Sequence, residues 1–146
     1  MLVQVLIGSA LILVTTLIHA GGMSVALRWL TMTYAKRLHL ASFWKRSLVV
    51  AALVLILFVA TFLEAGLWAA TYVVLGAIPD FEEALYFSTV TYTTLGYGDV
   101  VLDDRWRLLS SVEAANGLII FAWTTALVIV ALRRFSKQLP KLRALD

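Results

Sequence analysis

The chain predicts an all-α membrane protein, and three observations carry that expectation. Apolar residues make up 62% of the 146 positions and charged ones only 14%, with a mean hydropathy of +0.91. Those values lie outside the range of soluble domains. Three stretches, about 2–27, 48–74 and 108–132, are apolar enough to cross a bilayer, whose ~30 Å core takes about 20 helical residues. The charges, finally, are sorted by sign along the chain.

That sorting sets a topology. Arg28, Lys36, Arg37, Lys45 and Arg46 fall between the first two stretches, and Arg133, Arg134, Lys137, Lys141 and Arg143 lie at the end of the third and beyond it. The acids Asp80, Glu82, Glu83, Asp99, Asp103 and Asp104 fall between the second and third. Apolar spans interrupt the cations, so they do not form a nucleic-acid surface. Excess Lys and Arg marks cytoplasmic segments. The basic loop 31–46 and the tail 136–146 are therefore expected inside, with the N-terminus and the acidic region outside. The expected location is the cell (inner or plasma) membrane, crossed several times. A cleaved signal peptide at 1–20 does not fit. It lacks a basic leading region, and cleavage would leave the five-cation loop outside. Trp29, Trp44 and Trp106 stand near segment ends, where interfacial anchors belong. With no cysteine in the chain, disulfides and thiolate metal sites are excluded.

The segment between the second and third spans carries the most information. In "AIPDFEEALYFSTVTYTT", Pro79 is followed by Asp80, a helix N-cap residue, with Glu83 three positions on. Residues 81–93 predict a helix of roughly 20 Å, too short to span. A glycine-containing run, "TTLGYGDV", follows. A short helix and an irregular strand between two spans read as a re-entrant loop. Such backbone is tolerated at membrane depth only where protein buries it or where it lines a water-filled path.

"TTLGYGD" resembles the filter signature of the potassium-channel pore family, whose TVGYG run differs by one residue. The resemblance covers outer helix, pore helix, filter and inner helix (107–134), within a pore domain at 47–135. The first helix, residues 1–30, is an addition, as in small bacterial-type ion channels with one extra N-terminal span. The resemblance implies that the carbonyls of Thr94, Leu95, Gly96 and Tyr97, with the Thr94 hydroxyl, bind K+ in a 94–98 filter closed by Gly98. Consecutive carbonyls on one side require alternating left- and right-handed backbone, which glycines at 96 and 98 permit. Leu95 and Tyr97 side chains would then pack behind the filter. One strand supplies one oxygen per ring, so the expected pore is a homotetramer needing no cofactor beyond its K+ ions. The end of the pore helix at Thr93 would present its negative pole to a cation in the cavity. Asp99, Asp103 and Asp104 would gather cations at the mouth, although the last two also read as a solvated loop. Two positions depart from the family. Leu102 replaces a common proline, and Val90 stands where some relatives carry a glutamate, so no carboxylate pair with Asp99 is expected.

Gating signals are sparse. Gly117 reads either as an inner-helix hinge or as a packing glycine. No span has arginine at every third position, which excludes a voltage sensor, and the tail is expected to be too short for a ligand domain. The basic loop would meet anionic lipid. Glu113, Asn116 and Gly117 share a helix face. Glu113 reads as a proton sensor, or as a brace to Ser88, Thr89 or Thr91, or as a plain buried acid. Glu64 carries the same alternatives, and His19 reads as a packing residue rather than a metal ligand. An enzyme is not expected: "GYGD" also fits the GxGD pattern of intramembrane aspartyl proteases, but their chemistry needs a second aspartate, and no span contains one. A non-selective cation channel or a non-conducting pore-like subunit remains as the alternative.

Overall fold

The computed structural model describes residues 1–35 and 43–136. The positions between and beyond, with Lys36, Arg37, His39, Lys137, Lys141 and Arg143, lie outside the described residues. So do the middle of the expected basic loop and the tail. Four helices follow in order: α1 (Leu2–Ala35), α2 (Phe43–Val74), α3 (Phe81–Tyr92) and α4 (Arg107–Ser136). No strand occurs among the described residues. Three of the helices are long and apolar enough to cross a membrane.

The helices overrun their expected ends on the basic side. α1 continues through Arg28 to Ala35, and α2 already begins at Phe43, so residues 31–35 and 43–46 are helix, not loop. No proline or glycine interrupts either stretch, and nothing obliges a helix to stop where the bilayer does. At 1.5 Å per residue the 34 residues of α1 reach roughly 51 Å, well beyond a ~30 Å core. α2 ends differently. Gly76, with φ 66, takes the left-handed position after the last turn, and the Ala77 amide reaches back to the Tyr72 carbonyl at 2.9 Å. Four residues later Asp80 starts α3, its Oδ1 accepting the Glu83 amide at 2.9 Å.

α1 runs parallel to α4 and antiparallel to α2. The Gln4 side chain donates to the Arg105 carbonyl, Gly8 lies against Val112, and His19 meets Thr124. On the other flank His19 faces Glu64 and Gly22 lies against Ala60. The N-terminus therefore sits at the same end of the molecule as the loop after the filter signature. One apolar core at this end gathers Trp68, Tyr72, Phe87, Tyr92, Leu109 and Ile120 around α3. A second, at the basic end, joins Ala26 and Leu30 to Leu53, Leu57 and Leu127. Trp106, expected as an interfacial anchor, is buried in the first core, with the Arg105 guanidinium 5.0 Å from its ring centroid.

Candidate ion pathway and the polar junction behind it

The last turn of α3 passes directly into the 94–98 segment. The Thr94 amide donates to Thr91 (2.9 Å), and the Leu95 and Gly96 amides both donate to the Val90 carbonyl (2.9 and 3.3 Å). From there the backbone alternates. Thr94, Gly96 and Gly98 have φ of 59°, 58° and 79°, while Leu95 and Tyr97 between them have no positive φ. Glycine at 96 and 98 meets this demand at little cost. Thr94 does not: a β-branched residue at positive φ is a true outlier, costing about 1–3 kcal/mol, and such strain gathers at functional sites. The sequence reading placed left-handed backbone only at the glycines and missed Thr94, since nothing in a threonine signals it. The expected packing of Leu95 and Tyr97 is not met within one chain, where they are 56% and 67% exposed.

At the mouth, each acid has a local partner. The Tyr86 hydroxyl donates to Asp99 Oδ2 at 2.6 Å. This bond holds the Asp99 carboxyl below its usual range and raises the Tyr86 hydroxyl. Both side chains are exposed, so the bond orients Asp99 more than it stabilises the fold. Asp103 Oδ1 accepts the Trp106 amide at 3.1 Å and shapes the entry to α4. Asp104 pairs with Arg107 one turn on. These two acids serve the start of α4, which favours the loop reading over that of free rim charges.

Behind the 94–98 strand, buried side chains from all four helices meet. Glu113 Oε1 lies 2.5 Å from Ser88 Oγ, and its Oε2 accepts from the Tyr72 hydroxyl at 2.6 Å. Ser88 also reaches the Ala65 carbonyl at 2.7 Å. Of the expected partners of Glu113, Ser88 is the one engaged; Thr89 turns to the Leu85 carbonyl at 2.7 Å. One helical turn further, Glu64 bridges His19 Nδ1 (3.0 Å) and the Tyr92 hydroxyl (3.0 Å). Asn116 donates to Thr15 Oγ1 at 2.7 Å and to the Tyr92 hydroxyl at 3.4 Å. His19 Nε2 meets Thr124 Oγ1 at 3.2 Å. Buried polar groups cost several kcal/mol when unpaired, and here every one of these side chains has a partner. Gly117 completes the contact. A Cβ there would stand 1.9 Å from the Tyr92 carbonyl oxygen, so this glycine lets α4 touch the end of the pore helix. The shared face of Glu113, Asn116 and Gly117 was legible in their spacing; the partners Tyr72, Tyr92 and His19 were not.

No group of three or more His, Cys, Asp or Glu suited to a metal ion occurs among the described residues. A family model described as ion channel matches residues 48–134, more than half of the chain. No curated protein and no solved structure matches the chain significantly. The match covers α2 from its sixth residue, α3, the glycine-containing strand and all but the end of α4, and it leaves α1 outside. The chain belongs to this ion-channel family. It is a membrane protein with three candidate spans, in a family that is generally non-enzymatic.

Proposed function

We propose that the protein conducts potassium ions selectively, as a homotetramer whose filter runs from Thr94 to Gly98. One observation carries the reading: left-handed backbone at 94, 96 and 98, with a threonine strained to keep the alternation. Alternate hands turn successive peptide planes the same way, so the carbonyls of Thr94, Leu95, Gly96 and Tyr97 line one side. A cation leaving water exchanges its hydration shell for such oxygens. A single strand offers one oxygen per level, and four subunits close each ring. The uncovered Leu95 and Tyr97 side chains then find cover against neighbouring subunits. The negative pole of α3, ending at Thr93, stabilises an ion approaching from the cavity. Reversal potentials under bi-ionic K+/Na+ conditions test this in purified protein reconstituted into bilayers. Strong K+ preference is the expected result; equal permeability leaves the non-selective alternative.

We further propose that the filter mouth and the N-terminus face outward and the basic ends of α1 and α2 face the cytoplasm, where their cations meet anionic lipid. The Gln4 to Arg105 contact supports placing the N-terminus and mouth together. Engineered cysteines at positions 2 and 31 check the orientation. An impermeant reagent added outside is expected to label the first alone, and labelling of both from one side contradicts the proposal.

A further inference from the structure

α1 lies outside the matched pore module, yet it is more than a membrane anchor. Among its buried polar side chains are Thr15 and His19, both fully buried and spaced one helical turn apart. Both point at the same target. His19 Nδ1 holds Glu64 Oε1, whose other oxygen receives the Tyr92 hydroxyl, while Thr15 receives Asn116, which also donates to that hydroxyl. Tyr92 is thus reached from α1 by two routes, one through α2 and one through α4.

Tyr92 is a sensitive place to hold. It is the last residue of the pore helix, and its carbonyl lies against the Cα side of Gly117. The two residues before it accept the first filter amides: Thr91 that of Thr94, Val90 those of Leu95 and Gly96. A rotation or withdrawal of the Tyr92 ring shifts the turn from which the strained filter starts. The directions of the bonds are mutually consistent. Asn116 donates to Tyr92 and Tyr92 to Glu64, and the Nδ1–H tautomer of His19 completes the set by donating to Glu64, with Thr124 Oγ1 at the ring's far side. Glu64 is fully buried and each of its oxygens has one of these partners, so loss of either partner leaves a buried oxygen unpaired.

We propose that His19 of the accessory helix is a positioning residue for the filter, acting through Glu64 on Tyr92, so that α1 sets how often the pore conducts. This rests on the potassium-conducting reading above. Apolar packing of α1 against Leu53 or Leu57 would anchor the helix without any such link, and the polar chain is what separates the two roles.

The test is a double-mutant cycle on open probability, recorded in planar bilayers in symmetrical potassium, with tetramer content followed by size-exclusion chromatography and light scattering. His19→Ala and Tyr92→Phe cut the same chain at its two ends. Each is expected to lower open probability roughly tenfold, the population change set by losing one buried hydrogen bond, and the double mutant is expected to be no worse than either. His19→Gln, which keeps a donor on the side chain, is expected to recover most of the loss. Multiplying effects in the double mutant, or wild-type open probability in both single mutants, overturns the proposal. Tyr92→Phe changes one oxygen and no shape, and it decides the matter by itself if His19→Ala fails to assemble: unchanged open probability in it then overturns the link. Wild-type protein that forms tetramers but conducts no ion defeats the channel reading and this inference with it. Wild-type conduction with unresponsive variants defeats the inference alone.

Discussion

The 94–98 strand and the polar junction behind it invert the usual rule of inside and outside, in opposite directions. At 94–98, large apolar side chains stand exposed and the backbone is strained. One turn behind, two glutamates, a histidine and an asparagine are fully or almost fully buried, each hydrogen-bonded. The difference teaches where a single chain is complete. The junction satisfies its polar groups from its own four helices, so it folds with the protomer. The strand leaves its side chains uncovered within one chain, and in the proposed tetramer identical neighbours would cover them.

Gly98→Ala attacks the strand alone and has the largest expected effect on conduction. Nothing lies within 4 Å of an added Cβ, so the objection is conformational: φ is 79°, and left-handed backbone costs an L-residue roughly 1–2 kcal/mol. In the proposed tetramer, four copies around one axis would multiply that cost. Flux in liposomes should be lost while size-exclusion behaviour stays that of wild type; a variant that assembles and still conducts selectively breaks the contrast drawn here.

Gly117→Ala attacks the junction. Its Cβ would sit 1.9 Å from the Tyr92 oxygen, backbone that cannot swing aside, so α4 must move away from α3. Overpacking of this kind costs about 1–3 kcal/mol. Thermal denaturation in detergent should show a clear loss of stability, with reduced flux as a consequence. A purely hinge-like role predicts unchanged melting and altered gating only.

Tyr86→Phe sharpens the comparison with the smallest effect. The Tyr86 bond depresses the Asp99 carboxyl, so its contribution is present above the ordinary carboxylate pKa of about 4 and fades as pH falls through the lowered value. On the alkaline side it persists beyond the ordinary tyrosine value of about 10, because the hydroxyl is raised. Without the hydroxyl, Asp99 is expected to titrate upward toward its ordinary value, read by carbon NMR of labelled aspartate, while fold stability stays within experimental scatter. An unmoved titration removes Tyr86 as the cause.

Much of this protein was set by residue order alone. Apolar runs as long as these predict spans, Asp80 after Pro79 starts a helix too short to cross, and paired glycines allow the alternating backbone of 94–98. The shared face of Glu113, Asn116 and Gly117 follows from helical period, and it does face α3. These properties depend on spacing along one chain. Tertiary structure decided the rest, because it depends on which helices meet. No spacing pairs His19 with Glu64, 45 positions away, or Tyr72 with Glu113, 41 positions away. The choice of a tyrosine to hold Asp99, the burial of Trp106 and the positive φ of Thr94 have the same origin. In each case, neighbours brought together by packing override what the residue prefers by itself.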